Sequence, residues 1–185
     1  AAQWHARGLR IVTAVNVSAL QFHKPDFVDR VAAVLRVSGL PPGQLDLELT
    51  ESILIQDAQE ALKRMQALAR LGVLLSIDDF GTGYSSLAYL KRVPIHQLKI
   101  DRSFIDGTPD DESDVAIVRA IVDMGRALRL QVIAEGVETE PQRHFLQRAG
   151  CNHYQGFLFA PALPAPDFER LASARARRAM RLVSG

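Results

Sequence analysis

Val73-Leu74-Leu75-Ser76-Ile77-Asp78 is a short apolar run that ends in two acids, Asp78-Asp79, and passes at once into Phe80-Gly81-Thr82-Gly83-Tyr84. A run of this length bounded by glycines reads as a buried strand, with its charged pair at the carboxyl end and a turn before a helix expected near Ser85. The layout recurs on both sides. Further strands are expected over Arg10 to Val17, Leu45 to Thr50, Gln97 to Asp101, Gln131 to Glu135 and Tyr154 to Phe157, each followed by a segment of helical period. After the second strand, Leu62, Met65, Leu68 and Leu71 recur at three-residue intervals before a Leu71-Gly72 stop. After the fourth, Val115, Ile117, Val118, Ile121, Met124 and Leu128 make a broad apolar stripe. Strands alternating with helices imply a parallel sheet covered by helices.

Two architectures meet that pattern, a doubly wound open sheet and a closed barrel. The polar residues separate them. Asn16 ends the first strand, Glu48 lies near the end of the second, Asp78-Asp79 end the third, Lys99 lies in the fourth, Glu135 ends the fifth and Gln155 belongs to the sixth. A barrel gathers its strand ends around one pocket, whereas an open sheet spreads them along an edge. The expected fold is therefore α/β, a (β/α)8 TIM-type barrel. Six units in 185 residues fall short of the roughly 250 of a complete barrel. The expectation is one domain over residues 1–185 that lacks its N-terminal strand or strands, as a module of a larger signalling protein.

Composition narrows the partners. With 48% hydrophobic residues the chain can bury a sizeable core, and a formal charge of +1 offers no field for duplex nucleic acid. A lone cysteine, Cys151, and the lack of a long apolar run fit a cytoplasmic domain, which a membrane-associated parent protein would equally carry. His5, His23, His96, His144 and His153 show no metal-ligand spacing. Arg170, Arg175, Arg177, Arg178 and Arg181 read as the solvated face of a C-terminal helix.

The strand-end donors define the chemistry. Asn16, Glu48, Asp78, Asp79 and Glu135 offer oxygen alone, the ligand set of Mg²⁺ or Mn²⁺. Converging carboxylates repel unless neutralised, and two divalent ions would neutralise them while activating water for displacement at phosphorus. Lys99 adds a fixed charge for the transition state, and Asp101, two residues on, lies on the same strand face and is expected to orient it. Taken singly, a strand-end Asn or Glu is usually a turn or cap residue, and the glycine stretch can be a simple turn; glycines around a small residue also suit a mobile lid.

Asn16-Val17-Ser18, Glu48-Leu49-Thr50-Glu51-Ser52, Asp78 to Leu87, Lys99-Ile100-Asp101, Glu135-Gly136-Val137-Glu138 and Gln155-Gly156-Phe157 together resemble the EAL family of cyclic di-GMP phosphodiesterases, up to about Pro164. The resemblance implies a first metal on Asn16, Glu48 and Asp78, and a second on Asp78, Asp79 and Glu135. It implies that Lys99 contacts the catalytic water and phosphate, that Glu138 holds the Asp79-to-Ser86 loop, and that Gln155 supports the metal-bound water. Gln21, Phe80, Gly81 and Asp101 are expected on the substrate side. The implied reaction converts cyclic di-GMP to linear pGpG. Homodimerisation and fused regulatory domains are the expected associations.

Two departures stand out. The Glu-Ala-Leu that names the family belongs on a strand preceding Asn16, whereas Glu60-Ala61-Leu62 falls within a helix, with Glu60 four residues before Arg64 as a surface pair. A chain without that ligand is expected to hydrolyse cyclic di-GMP poorly or not at all, and the same chain extended at its N-terminus to include that strand is expected to be active. Ala160-Pro161-Ala162-Leu163-Pro164 also replaces the basic or polar residue and Pro-Leu-Pro expected after Gln155-Gly156-Phe157. The alternatives are a degenerate cyclic di-GMP receptor of the same fold and an enolase-like barrel, which would explain the metals but not the Asp-Asp pair.

Overall fold

A computed structural model describes residues 1–53, 57–83 and 90–183, with side chains through residue 174. The helix expected near Ser85, the motif residues Ser85, Ser86 and Leu87, and the side chains of Arg175, Arg177, Arg178 and Arg181 lie outside the described residues. In chain order the elements are α1 (Ala2–Ala6), β1 (Thr13–Val17), α2 (Ala19–Phe22), α3 (Phe27–Ser38), a 3-10 turn (Pro42–Gln44), β2 (Leu45–Thr50) and α4 (Ala58–Arg70). They continue as β3 (Leu74–Phe80), β4 (Gln97–Ile100), α5 (Arg102–Asp106), α6 (Glu112–Leu128), β5 (Gln131–Ala134), α7 (Glu140–Ala149), β6 (His153–Tyr154) and α8 (Ala165–Val183).

The six strands form one sheet in the order β1-β2-β3-β4-β5-β6, every neighbouring pair parallel. A doubly wound sheet reverses its strand order at a switch point; strictly sequential order is that of a β/α barrel wall. Along β2, β3 and β4 both faces are covered. Leu47, Leu49, Leu75, Ile77, Leu98 and Ile100 are buried and belong to the hydrophobic core, with Ala61, Met65 and Leu68 of α4 and Val118 and Ile121 of α6. Each such Leu or Ile removed from water is worth about 1.5–3 kcal/mol. The alternate residues Asp46, Glu48, Ser76, Asp78, Gln97 and Lys99 are buried too, on the polar inner face.

The chain's two end regions meet. Trp4 of α1 stacks 5.0 Å from Phe168 of α8, and its Nε1 donates to Glu169 at 2.7 Å, while Arg7 pairs with Glu169 at 2.9 Å. No helix among the described residues is long and apolar enough to cross a membrane.

Several expected boundaries shift for local reasons. The first strand begins at Thr13, not Arg10, because α1 precedes it. The third runs past Asp78 to Phe80, with a register shift against β4 between Ile77 and Phe80. The fourth and fifth each stop one residue early: Asp101 caps α5, accepting from the Ser103 amide at 3.0 Å, and Glu135 begins the loop to α7. The sixth is His153–Tyr154, ending before Gly156, where a side chain would lie 2.2 Å from the Val137 carbonyl. Glu60 does pair with Arg64 on α4, at 3.1 Å.

Candidate active site

Lys99 stands at the centre of the strand ends. Its ammonium lies 2.8 Å from Glu48 Oε1, 3.1 Å from Asp78 Oδ1 and 2.5 Å from Glu135 Oε1, so β2, β3, β4 and the β5 exit meet at one nitrogen. Burial alone would lower its pKa, but the hydrogen bonds to Glu135 and Glu48 and the charges of Glu135 and Asp78 outweigh that and raise it. The ammonium stays charged throughout the neutral range. Gln155 closes one side, its Nε2 donating to Glu135 Oε1 at 2.6 Å. On the other side one terminal atom of the Asn16 amide lies 3.1 Å from both Glu48 Oε2 and Asp78 Oδ2. As an NH₂ group it donates to both; as a carbonyl it leaves three oxygens facing one another with no proton between them.

Asp79 continues the cluster outward. Its φ of 52° is costly for a residue with a side chain. That turn places oxygens of Asp78, Asp79 and Glu135 within 4.8 Å of one another. Burial raises the pKa of Asp79, assisted by the charges of Asp78 and Asp101 and opposed by Lys99. Burial likewise raises that of Glu135, against the bond to Lys99.

These residues fit a divalent cation. Asp78 Oδ1 is buried without a hydrogen-bond partner although it lies near Lys99, because proximity to the ammonium does not supply the bonding angle. Four carboxylates face a single ammonium, and every other donor of the cluster is an amide. Hard oxygens with uncompensated charge suit Mg²⁺, Mn²⁺ or Ca²⁺ rather than a thiolate-binding metal.

Other expected site residues go elsewhere. Phe80 is buried in the hydrophobic core. Asp101 does not orient Lys99. It accepts from Ser103 Oγ at 2.5 Å and lies beside Asp79, and although burial alone would raise its pKa, the Ser103 bonds lower it. Gln21 closes the α2 capping box, its side-chain oxygen accepting from Ser18 N at 3.3 Å, beside the groove that Asn16 also lines. Gly81 is exposed, with a φ of +102°.

The described part of the Asp79-to-Ser86 loop is held by Glu51, which sequence reasoning quoted without a role. Its Oε2 accepts from Gly81 N at 3.4 Å and Gly83 N at 3.1 Å, and a side chain on Gly83 would meet that carboxylate at 3.0 Å. Glu138, expected there, pairs with Arg102 at 3.0 Å, and residues 84–86 of that loop lie outside the described residues. The signal for Glu51 was its place three residues beyond Glu48, an acid in a turn where none is needed for folding.

The model of the EAL domain matches residues 1–162. The chain belongs to the EAL domain family. Over 152 residues it is 54% identical to the bifunctional diguanylate cyclase/cyclic di-GMP phosphodiesterase MucR of Pseudomonas aeruginosa, covering 82% of this chain and 22% of that protein. The chain thus spans about a fifth of the length of the curated relatives it matches. Among solved EAL structures, the cyclic di-GMP complex of the MucR phosphodiesterase has a TM-score of 0.81 at 53% identity, covering 84% of this chain and 63% of that one. The EAL domain of Mycobacterium smegmatis DcpA reaches 0.88 at 40% identity, covering 94% and 78%. A manganese and cyclic di-GMP complex of Klebsiella pneumoniae BlrP1 reaches 0.76 at 34% identity, covering 85% and 41%. The EAL likeness therefore extends through the whole six-stranded TIM-type wall, and the acidic cluster fits use of a divalent metal.

Proposed function

We propose that this domain hydrolyses one phosphodiester of cyclic di-GMP to the linear dinucleotide pGpG, with two Mg²⁺ or Mn²⁺ ions. One observation carries this: a buried ammonium gathered with three carboxylates from three other strand ends, flanked by two amides. The cyclic di-GMP named with MucR and BlrP1 supplies the substrate.

Asn16, Glu48 and Asp78 would hold one cation, and Asp78, Asp79 and Glu135 the other. The cations supply Lewis acidity and a more acidic water at neutral pH. In the reaction a water oxygen bonds to phosphorus, the bond from phosphorus to the departing ribose oxygen breaks, and that oxygen takes a proton. Lys99, fixed and charged, stabilises the negative charge that grows on the phosphoryl oxygens. Gln155 keeps Glu135 aimed inward. On this reading Gln21, Gly81 and Asp101 would contact the dinucleotide. Fused regulatory domains, a membrane-associated parent and self-association are proposed as the context of this function.

Incubation with cyclic di-GMP and either Mg²⁺ or Mn²⁺, followed by chromatography, should yield the linear dinucleotide from a chain extended at its N-terminus to include the Glu-Ala-Leu strand, and less or none from residues 1–185 alone. Ca²⁺, with longer bonds and looser geometry, should support binding without turnover. Full hydrolysis in chelator would overturn the metal requirement, and no product from either chain under any of these conditions would overturn the phosphodiesterase assignment.

A further inference from the structure

One pleat below the carboxylates lies a second set of polar groups that touches neither the proposed cations nor the substrate side. Ser76 Oγ donates to Asp46 Oδ1 at 3.1 Å, and both residues are buried. His96, in the turn entering β4, is anchored to β3: its backbone N–H at 3.0 Å and its ring Nδ1 at 2.7 Å both reach the Leu75 carbonyl. A carbonyl only accepts, so Nδ1 carries the proton. The opposite nitrogen, Nε2, then faces Asp46 Oδ2 at 3.7 Å, spanning from the β4 entrance to β2.

The offset of this tier reproduces that of the site. Asp46 and Ser76 stand two residues before Glu48 and Asp78, and Glu48 pairs with Ser76 in the same register that pairs Thr50 with Asp78. The Asp46–Ser76 contact is therefore the Glu48–Asp78 diagonal repeated one step lower. Above it the ladder gives out. β3 and β4 pair regularly at Ser76–Gln97 and Ile77–Leu98, then shift register before Phe80, and Asp79 adopts a positive φ. Backbone pairing alone does not fix the height of Asp78 against Lys99.

We infer that Asp46, Ser76 and His96 are positioning residues, a tier that locks β2, β3 and β4 at one relative height and so sets the spacing of the oxygens meant for the cation. This rests on the metal-dependent function proposed above.

The test is Mn²⁺ affinity, followed by electron spin resonance on the full chain, beside thermal unfolding without metal and turnover. Ser76→Ala and Asp46→Ala should each weaken Mn²⁺ binding by about tenfold or more per folded molecule. Asp46→Asn keeps an acceptor for Ser76 and turns an amide toward Nε2, so it should stay within about threefold of the unaltered chain, far short of that loss. Variants that lower the melting temperature while binding Mn²⁺ as tightly as the unaltered chain would overturn the inference. So would equal losses in Asp46→Asn and Asp46→Ala. Should Asp46→Ala not fold, Ser76→Ala, which deletes one oxygen and adds no volume, decides alone. If the unaltered chain binds Mn²⁺ yet neither it nor a chain extended at its N-terminus releases linear dinucleotide, the phosphodiesterase function falls and the positioning result stands, whereas an unaltered chain that binds no Mn²⁺ overturns both.

Discussion

Glu48-Leu49-Thr50-Glu51 and Glu135-Gly136-Val137-Glu138 share one spacing, and each brings its first glutamate to Lys99, at 2.8 and 2.5 Å. Their second glutamates part company. β2 continues through Thr50, so Glu51 turns back, buried, under the β3 exit and takes the amides of Gly81 and Gly83. β5 stops at Ala134, and Gly136, with a φ of +69° and Arg102 packed where a side chain would sit, sends Glu138 outward to Arg102. The same four-residue spacing thus makes a buried loop anchor on one strand and a half-exposed ion pair on another. Backbone path, not residue type, separates them.

The shared partner gives the largest expected effect. Lys99→Ala should lower kcat by about 10²-fold or more while leaving affinity for cyclic di-GMP within a few-fold, because its charge acts chiefly in the transition state. Steady-state rates beside calorimetric binding check both. A collapse of affinity with a near-normal rate constant would make Lys99 a ground-state contact and would dissolve the symmetry between the two segments.

Glu51→Ala comes next. It removes the side-chain acceptor of two backbone amides, and leaving such a donor unmatched costs about 1–3 kcal/mol each. Since the loop begins at Asp79, a proposed cation ligand, the loss should appear as a fall in turnover of about tenfold or more, with Glu51→Gln between the two because one carbonyl acceptor remains. Unchanged turnover in Glu51→Ala would show that Asp79 is placed without this anchor.

On the β5 side the comparison extends to pH. The Glu135 carboxyl is raised above its ordinary 4.5 by burial, against the pull of Lys99, and Asp79 is raised above 3.8 by burial and its acidic neighbours. Groups raised on folding stabilise most where they are protonated, so without metal their contribution is full below those ordinary values and is lost as pH rises through the raised ones. Asp101, lowered from 3.8, acts in the opposite sense only at more acidic pH, and Lys99 only above 10.5. Thermal melts of metal-free protein between about pH 4 and 7 should therefore show a declining carboxylate contribution that Glu135→Gln flattens and saturating Mn²⁺ reverses. A slope unaffected by Glu135→Gln would place the titration elsewhere.

How much of this was legible before the structure follows from what strand geometry determines. Alternation puts residues two apart on one face, so Glu48, Asp78 and Lys99 could be gathered from sequence, and sequential strand-helix units implied the barrel wall. The burial of Phe80 was not legible, because β3 runs two residues past Asp78 and carries the ring into the core. Asp101 was misplaced because β4 ends at Ile100, so the residue after it serves as a helix cap instead of standing over Lys99. In both cases strand length, which tertiary pairing decides, overrode local pattern. Glu51 carried a signal in its place three residues beyond Glu48, but Glu138 shares that spacing after Glu135, so spacing alone could not tell which of the two holds the loop.

Glu138→Ala should produce the smallest effect and so sharpens the contrast most. Its carboxylate is 37% exposed and its partner Arg102 53% exposed, which places the pair in the range of about 0.2–1 kcal/mol for solvent-screened contacts. Arg102 keeps a second carboxylate, Asp106, at 3.2 Å, so losing Glu138 strands no charge. The β5 exit also keeps its backbone ties: Gln142 Oε1 accepts from the amides of Glu138 and Thr139 at 2.9 Å each, and Val137 N donates to Gln155 O at 3.0 Å. None of these bonds uses the Glu138 side chain. Turnover should therefore fall by about threefold or less, equivalent to no more than ~0.7 kcal/mol, with Glu51→Ala measured in parallel. If instead Glu138→Ala matches Glu51→Ala in turnover, with Asp79 ligation weakened in both by Mn²⁺ titration, then Glu138 does act on the Asp79 loop, and the two glutamates form one support divided between two strands.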